Sequence, residues 1–498
     1  MNAQRPSRSL DRQSAPPAAL LLNQPPPLGI VHIGLGNFHR AHLAVHTAEA
    51  VAKSGGSWGI YAYSLRSSST ADALKRQEFL YTVVDIHPES EKTIIPGIHV
   101  GASGGPAAQD EVLRQLADER TRIISLTITE SGYCYSTQTG GLDVYRPEII
   151  NDLANLSRPT SVIGLLAKAL LIRAQTHAAP VTILSCDNLT SNGATTKRVL
   201  TEFAAKLESN LADVLLKYID NAMSFPNSMV DRIVPSTQER HRELVTERIG
   251  IRDEIPVPAE KFSMWVLEDD FIAGRPAWEE AGVIFSDEVD TYETMKLRLL
   301  NGSHSLLAYV GALAGKMTVP DARFTPYIEQ AVRRFMVHEM APTFTMPRTV
   351  DIDSYIEDLF SRWSNTVLSD TTARIGSDGS IKLPPRITQT SLWHGERGLP
   401  MPMTALILAA WLACVSPPHD FEPGAIARAM KDPASDYLSN LSAAGASAAE
   451  IVERLFGEAK IFSKELDSLT ELKKNVVKYL EQIVSDGIER TAKAAISS

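Results

Sequence analysis

Strand-like and helix-like segments alternate along the first half of this 498-residue chain, and this alternation constrains the fold more than any other feature. Short apolar runs typical of buried strands lie at residues 29–34, 58–65, 122–128 and 181–185. Helical stretches, such as residues 38–53 and 162–175, lie between them. Because parallel strands need crossover connections, the pattern predicts a doubly wound parallel sheet with helices on both faces.

The pattern changes after about residue 290. Helical segments follow one another from there on, at residues 295–317, 325–340, 403–415 and 466–484. We therefore expect an α/β, Rossmann-like domain over residues 28–290 and a mostly α-helical domain over residues 291–498. Residues 1–27 contain several Pro, Arg and Gln and show no signal-peptide cleavage pattern, so we expect a flexible tail there.

The bulk composition argues against several classes of protein. The formal net charge of −10 argues against a nucleic-acid-binding surface. No apolar run reaches the roughly 20 residues that a membrane-spanning helix needs, so no span is expected. Cys134, Cys186 and Cys414 form no C-x-x-C pair and cannot all pair with one another. A reducing, cytoplasmic location is the simpler interpretation.

A glycine turn follows the first predicted strand and opens a helix. In this context a G-x-G turn lets backbone N–H groups approach a pyrophosphate at a helix N-terminus. His39 stands where the third glycine of G-x-G-x-x-G is usual. The surrounding alternation of strands and helices still favours dinucleotide binding over a simple tight turn. The residues that we expect to contact the cofactor here are Gly34, Gly36, Asn37 and Phe38.

The end of the second predicted strand bears on the choice of cofactor. An NAD site usually carries Asp or Glu there, which binds the ribose 2′-hydroxyl. This chain has Arg66 followed by three serines instead, and Arg66 can face a 2′-phosphate. The strand-end rule therefore leaves NAD and NADP open.

Three histidines at i, i+3 and i+7 share one face of the helix that follows the glycine turn. His39, His42 and His46 have a spacing that can bind a metal. No acidic or cysteine partner lies near them with a recognisable spacing. We therefore expect helix packing or cofactor contact, and no metal.

The segment at residues 295–310 places polar groups in an apolar helical background. Lys296, Asn301 and His304 are surrounded by Leu, Ala, Tyr and Val. A lysine held in such surroundings is pushed toward its neutral form, and a neutral lysine is a base. At about 100° per residue of an α-helix, Asn301 lies about 140° around from Lys296 and His304 about 80°, so all three fit one broad face. A lysine that only snorkels to solvent is the structural alternative.

Six blocks of sequence follow one another along the chain: IGLGNFHRAH (33–42), SLTITE (125–130), SCDNLTSNG (185–193), MVDRI (229–233), WVLED (265–269) and MKLRLLNGSH (295–304). In this order they resemble the polyol-specific long-chain dehydrogenase family, which includes mannitol 2-dehydrogenase and fructuronate reductase. The resemblance covers about residues 28–490. It implies a metal-free, NAD(P)-dependent enzyme of two domains, commonly monomeric, with its active site in the cleft between them. NAD is the commoner cofactor in this family, so we favour NAD without excluding NADP.

The resemblance also implies roles for individual residues. Lys296 matches the family's general base, and Asn192 and Asn301 match its pair of oxygen-stabilising carboxamides, although Asn188 competes with Asn192 for that role. His304 matches a substrate-orienting histidine. Substrate contacts are implied for Asp231 and Arg374, and a proton path to solvent for Glu130.

Three functions are consistent with these residues. The favoured one is reversible oxidation of a polyol, D-mannitol, to its ketose, D-fructose. The second keeps the same chemistry for a sugar acid, as in fructuronate reduction to mannonate, whose carboxylate needs a cation such as Arg374, Lys382 or Arg386. The third is a nucleotide-binding regulator without catalysis, against which the intact set of Lys296, Asn301 and His304 argues.

Overall fold

The protein divides into two compact units. The computed structural model describes residues 8–16, 19–22, 24–87, 90–136, 139–367 and 370–498. The first unit comprises Met1–Asp290 and the second Thr291–Ser498. The division falls where the pattern of the sequence changes from alternating strands and helices to helices.

A six-stranded parallel sheet forms the centre of the first unit. Across the sheet the strands lie in the order β6 (Met223–Ser224), β5 (Val181–Ser185), β4 (Ile123–Leu126), β1 (Leu28–Ile33), β2 (Gly59–Ser64) and β3 (His99–Gly104), numbered in chain order. All six residues of β1 are buried. The chain builds outward from β1 on one side and then returns to its other side with β4. This reversal opens a crevice at the carboxyl ends of β1 and β4, where ligands of such sheets bind.

The predicted fold class is confirmed, and the four predicted strands lie within two residues of their predicted bounds, whereas β3 and β6 were not predicted. The helix predicted at residues 38–53 is different, because it is broken in two at His42, which has φ −117° and ψ −91°. The break directs buried rings to different partners: His39 in the first piece stacks on His32, and His42 at the break packs against Trp265. The helices used below are α1 (Asn37–Ala41), α2 (Leu43–Ser54), α3 (Ser69–Arg76) and α4 (Glu239–Ile249).

Shorter elements complete the first unit. Its other α-helices are Gln109–Ala117, Thr129–Gly132, Pro147–Ala154, Val162–Thr176, Asn192–Ala204 and Ser209–Ala222, with 3₁₀ turns at Pro106–Ala108 and Trp278–Ala281. Its other strands are Arg8–Ser9, Val83–Asp85, Thr93–Ile94, Tyr135–Ser136, Gly141–Leu142, Ser228–Asp231, Ile251–Arg252, Val257–Ala259, Met264–Leu267 and Ile284–Phe285.

Part of the N-terminal segment is packed onto the first unit, and the flexible tail predicted for residues 1–27 is wrong for that part. Arg8–Ser9 pairs in parallel with Ile251–Arg252. Leu10 is fully buried in a small cluster with Leu80 and Ile95. The burial of these apolar side chains offsets the entropy cost of ordering a proline-containing segment. Residues 1–7, 17–18 and 23 lie outside the described part.

Helices build the second unit. Every residue of the helix Pro402–Val415 except Val415 is buried, and this helix packs against Thr470–Asp486. The helices used below are α5 (Gly302–Leu313), α6 (Ile352–Trp363), α7 (Gly379–Glu396) and α8 (Pro402–Val415). The others are Val289–Met295, Val319–Arg323, Pro326–Arg334, Thr372–Gly376, Ala425–Arg428, Ser435–Leu441, Ala448–Gly457, Thr470–Asp486 and Ile488–Ile496, with 3₁₀ turns at Ala341–Thr343, Ala443–Gly445 and Lys464–Ser468.

Two of the predicted helices contain a wider, π-helical turn. The first π segment is Lys296–Asn301 and the second is Phe335–Met340. In each, the closing backbone bond spans five residues, from Gly302 N–H to the Leu297 carbonyl and from Ala341 N–H to the Met336 carbonyl. The uniform α-helices predicted at residues 295–317 and 325–340 are therefore wrong in detail. Among the described residues, no helix combines the length and apolar character that crossing a membrane requires.

Candidate active site

The turn after β1 has the backbone geometry that a dinucleotide turn requires. Gly34 has φ +112°, and a Cβ there would stand 2.0 Å from the Thr127 carbonyl oxygen, so only glycine fits. A Cβ at Gly36 would meet nothing closer than the Gly34 oxygen at 3.8 Å. Gly36 is exposed and immediately precedes α1. The turn therefore leaves an open cradle above the start of a helix.

His39 replaces the third glycine by packing inward. Its ring stacks on His32 with centroids 3.5 Å apart, and its Nε2 lies 3.0 Å from Nε2 of His99. Burial lowers the pKa of His32 and of His99 to about 3 and lowers that of His39 well below its usual range. These imidazoles are neutral at physiological pH. They serve to pack α1 against the sheet.

The other two histidines of the predicted face are also engaged in packing. His42 stacks on Phe38 and contacts Trp265. The two ring nitrogens of His46 lie 3.0 Å from the Ala281 oxygen and 3.0 Å from the Ser263 hydroxyl. These contacts agree with the packing role that we expected for this face.

The end of β2 carries a free cation. Arg66 is exposed and has no hydrogen bond or ion pair within the described ranges. It precedes Ser67, whose hydroxyl donates to Ser69 at 3.0 Å. The first acidic side chain after β2 is Asp72, one turn into α3.

A hydrogen-bonded network joins the ends of β4 and β5. Asp187 accepts bonds from the backbone N–H groups of Ile128 and Thr129 at 2.9 and 3.0 Å. The Tyr133 hydroxyl donates to Asp187 at 2.8 Å and lies 2.5 Å from the Ser185 hydroxyl. Burial raises the pKa of Asp187, with Glu130 adding to the effect. Neither Tyr133 nor Asp187 was singled out from the sequence, although Asp187 lies directly between a strand and a turn.

Hydrogen bonds to buried groups at the same edge of the sheet fix the side chain of Asn192. It is 1% exposed, and its Nδ2 lies 3.0 to 3.3 Å from four acceptors, the oxygens of Ser185 and Asp187 and both oxygens of Ser228. Its Oδ1 accepts the Ser228 N–H at 2.9 Å. A substrate oxygen would have to replace one of these acceptors. Asn188, in the same turn, is exposed.

The candidate residues of the first unit fall into two groups. Most lie at the carboxyl edge of the main sheet, after β1, β2, β4 and β5; these are Gly34, Gly36, Asn37, Phe38, Arg66, Glu130 and Asn192. Glu130 is exposed there. Asp231 instead ends the strand Ser228–Asp231 of a separate three-stranded sheet and is 5% exposed. Arg232 beside it donates to backbone oxygens of Ala41 and Glu260.

In the first π segment the angle around the helix axis between Lys296 and Asn301 is smaller than the angle predicted for an α-helix. Bonds in a π turn run from residue i to i+5, so Asn301 lies one turn along from Lys296. Both side chains are partly exposed, whereas Leu299 and Leu300 between them are buried. The wider turn therefore presents the amine and the carboxamide in succession while the leucines face the core.

His304 is oriented by a tryptophan that the sequence did not indicate. The indole N–H of Trp363, at the end of α6, donates to Nε2 of His304 at 2.8 Å. With Nε2 acting as the acceptor, the proton of the neutral ring resides on Nδ1. His304 therefore presents Nδ1–H as its donor. The only sequence signal for Trp363 was its position on the apolar face of an amphipathic helix.

The three predicted cations of residues 371–386 have different surroundings. Arg374 is exposed and forms an ion pair with Asp370. Lys382 donates to the Ser377 carbonyl at 2.7 Å. Arg386 donates to the Ser305 hydroxyl at 3.0 Å, next to His304 in α5, and has no ion pair within the described ranges. Desolvation lowers the pKa of Arg386 to about 10.

Comparisons with known proteins agree with this architecture. The sequence model of the mannitol dehydrogenase Rossmann domain matches residues 28–280, and that of the mannitol dehydrogenase C-terminal domain matches residues 288–484. Mannitol 2-dehydrogenase of Aspergillus terreus is 36% identical over 478 residues, covering 93% of this chain and 92% of the relative. D-mannonate oxidoreductase of Escherichia coli is 37% identical over 391 residues, covering 77% and 79%.

A solved structure extends the similarity to the whole chain. Mannitol 2-dehydrogenase of Pseudomonas fluorescens, in a ternary complex with NAD and D-mannitol, superposes with a TM-score of 0.85 at 32% identity. The match covers 98% of this chain and 100% of that one. These matches confirm the resemblance drawn from the six sequence blocks. The chain belongs to the mannitol dehydrogenase family and is an oxidoreductase that acts on a CH–OH group.

Proposed function

We propose that this protein is a metal-independent, NAD-dependent polyol dehydrogenase that interconverts D-mannitol and D-fructose, with Lys296 as the general base. The observation that carries the proposal is the first π segment, which begins at Lys296, ends at Asn301 and leads directly into the helix of His304. One continuous helical run thus supplies a base, an amide donor and an imidazole donor. Together these groups meet the requirements of alcohol oxidation without a metal.

The first unit fits a nicotinamide dinucleotide. When bound, NAD supplies the acceptor for the hydride that leaves the alcohol carbon. The open cradle at Gly36, the start of α1 and the switch point between β1 and β4 suit its pyrophosphate. Gly34, Gly36, Asn37 and Phe38 would form this contact, with Arg66 near the ribose.

Each polar residue of the second unit has a separate task in the proposal. Neutral Lys296 accepts the hydroxyl proton as the alcohol is oxidised. The Asn301 amide donates to the oxygen as negative charge develops on it. His304, with its tautomer set by Trp363, donates from Nδ1 to a substrate hydroxyl. The rigid hold on Nε2 limits the rotation of the ring, which favours one substrate orientation.

The first unit supplies the remaining roles. We assign Asn192 as the second amide donor, with one of its amide hydrogens moving from a protein acceptor to the substrate oxygen. Asp231 would bind a substrate hydroxyl, and Glu130, exposed at the edge of the network around Asp187, would exchange the proton with solvent. A monomer in the cytoplasm completes the proposal, and the three buried, free cysteines are consistent with a reducing compartment.

A sugar acid is a second candidate substrate class, because of Arg386. The Arg386 guanidinium is bonded to the residue after His304 and pairs with no carboxylate in the described part of the chain, which suits it to a substrate carboxylate. Arg374 is less suited, because Asp370 already neutralises it. The D-mannonate oxidoreductase among the relatives supports this alternative.

A steady-state panel tests the proposal. We would measure kcat/KM for mannitol, sorbitol, arabinitol and mannonate with NAD and with NADP. The proposal expects mannitol with NAD to rank above mannonate. A preference for mannonate that Arg386→Gln abolishes, while Arg374→Gln leaves it unchanged, would establish the sugar-acid alternative instead. Binding of NAD without turnover of any substrate would contradict both.

A further inference from the structure

A positively charged cavity of about 480 Å³ lies beside the glycine turn of the first unit. Its lining comes from α1, α3, α4, the loop that precedes α4, and Ile255 between the strands Ile251–Arg252 and Val257–Ala259. Two of the lining residues are arginines and, among the described residues, none of those that line it is acidic. The polar lining residues are Asn37, Arg40, Thr70, Ser236, Thr237 and Arg242.

Arg40 is a buried cation whose charge is not neutralised by an ion pair. It is 3% exposed and forms no salt bridge with any residue in the described ranges. Its Nη1 donates to the Ile255 carbonyl and its Nη2 to the Asn37 side-chain oxygen, both at 2.6 Å. Its Nε is buried and has no hydrogen-bond partner among the residues that the structure describes. Buried charges are normally paired, so the cavity beside Arg40 favours an anionic ligand.

The nearby carboxylates do not provide that pairing. Asp253 contributes to the electrostatic surroundings of Arg40, but its two oxygens already accept bonds from Gln77, Thr82 and Ile255. The second arginine, Arg242, pairs through Nη1 with Glu239 at 2.6 Å.

Arg242 retains a donor for a ligand. Its Nε donates to the Glu254 carbonyl at 3.0 Å, and its Nη2 has no partner within the described ranges. Its side chain is 35% exposed, so this donor is accessible. The cavity thus combines a buried guanidinium, a second guanidinium with an unused donor, and hydroxyl groups.

The position of the cavity connects it to the ribose of a dinucleotide. Asn37 directly follows Gly36 of the pyrophosphate cradle. Thr70 lies in the first turn of α3, the helix that follows β2, and the end of β2 is where the ribose 2′ position is recognised in such sheets. No acidic residue stands at this strand end to bind a 2′-hydroxyl or to repel a 2′-phosphate.

We propose that this cavity binds a phosphate dianion, the 2′-phosphate of NADP(H), so that the protein accepts NADP(H) as well as NAD(H). The inference rests on the proposed function for the identity of the dinucleotide. Arginine is suited to this ligand because its planar donors match phosphate oxygens. Thr70 and Ser236 would add hydroxyl donors.

Calorimetric binding of 2′,5′-ADP and of 5′-AMP to the full-length protein tests the proposal without any turnover. We expect 2′,5′-ADP to bind at least tenfold more tightly than 5′-AMP. Thr70→Asp, which places a carboxylate in the cavity, should remove this preference, and Arg242→Gln should reduce it several-fold. Arg240→Gln, an exposed arginine of the same helix that does not line the cavity, should leave it unchanged.

The outcomes separate the possible sources of the phosphate. Inorganic phosphate that competes with 2′,5′-ADP but not with 5′-AMP supports the proposal. If the wild-type protein shows no preference for 2′,5′-ADP over 5′-AMP, the proposal is overturned. This holds even if inorganic phosphate binds to the protein and Arg242→Gln weakens that binding. A preference that both cavity variants retain also overturns it. If no polyol is oxidised but the preference and its loss in the variants are observed, the proposed function fails and the phosphate site stands.

Discussion

The two π segments of the second unit share a backbone irregularity but differ in what they do with their polar side chains. In Lys296–Asn301 the terminal amine and carboxamide are partly exposed. In Phe335–Met340 the buried polar side chain is Glu339, which is 1% exposed and accepts bonds from Met403 N–H, Thr404 N–H and the Thr404 hydroxyl at 2.6 to 2.8 Å, whereas His338 beside it is exposed. The first segment leaves an amine and a carboxamide accessible, and the second caps the start of α8.

This difference shows that a wider helical turn does not by itself mark an active site. π turns are frequent at functional sites. Here the same geometry also serves stability, because Glu339 satisfies N–H groups at the start of a buried helix that would otherwise lack partners. The surroundings of the side chains separate the two cases. Substitution of the terminal polar residues of the first segment should therefore reduce turnover and leave stability unchanged. Substitution of Glu339 in the second segment should change stability and leave turnover unchanged.

Lys296→Met should give the largest effect. Removal of a general base typically costs 10²- to 10⁴-fold in rate, so we expect a loss of roughly that size in kcat for mannitol oxidation at neutral pH. Because Lys296 is partly exposed, thermal stability should change little. Steady-state kinetics and calorimetry of the full chain check both statements. Lys474→Met, an exposed lysine in the helix Thr470–Asp486, is the matched control and should retain turnover.

Asn301→Ala should be the next largest. Loss of one donor to a developing oxyanion typically lowers kcat by about 10²- to 10³-fold. We expect a fall in kcat with a small change in KM, because the bond strengthens in the transition state.

Asn192→Ala should lower both turnover and thermal stability, since Asn192 is buried and bonded to the backbone. If exposed Asn188→Ala instead removed turnover while Asn192→Ala retained it, the second amide donor would be Asn188.

Glu339→Gln should alter the pH dependence of stability rather than the rate. Burial raises the pKa of Glu339 to about 7 from an ordinary 4.5. Between these values the folded chain binds more protons than the unfolded chain, so this group makes stability fall as pH rises from about 4.5 to about 7. The shift corresponds to roughly 3 kcal/mol across that window.

Melting temperatures between pH 4.5 and pH 8 test this effect. The difference between the wild-type protein and Glu339→Gln should change steadily up to about pH 7 and then level off, because glutamine does not titrate. The exposed Glu396→Gln serves as the control and should follow the wild-type curve. A constant difference across the whole range would show that Glu339 keeps an ordinary titration in the folded protein.

Trp363→Phe should give the smallest effect. It removes the indole donor to His304 but keeps an aromatic ring in contact with the imidazole. We expect KM for mannitol to rise several-fold with a smaller change in kcat, because the His304 imidazole keeps its position but its tautomer is no longer fixed. Trp393→Phe, on the helix α7, is the control. A normal KM together with an unchanged pH profile would remove the orienting role from Trp363.

Much of the fold could be predicted, because the signals are local. The strands Leu28–Ile33 and Val181–Ser185 are apolar runs bounded by turn residues, and Gly34 is required by a positive φ and a close approach. The π segments could not be predicted, because their apolar spacing is that of an α-helix and tertiary packing decides between the two. The ordered N-terminal segment was missed for a similar reason: Leu10 is buried by partners about 70 residues or more away along the chain.

The candidate site was predictable in its residue types but not in its surroundings. Lys296, Asn301 and His304 follow from one stretch of sequence. Trp363 and the buried acceptors around Asn192 come from distant segments, and no local pattern indicates them. Arg374 illustrates the converse: the sequence offered it as a substrate contact, whereas the structure pairs it with Asp370.

Rescue of Lys296→Ala by added alkylamines tests the central claim most directly. If Lys296 removes the hydroxyl proton, the variant should oxidise mannitol very slowly, and its rate should rise with the concentration of neutral methylamine or ethylamine. Tetramethylammonium, which cannot accept a proton, should have no effect. A variant that oxidises mannitol at a near wild-type rate without added amine would contradict the assignment of Lys296 as the base.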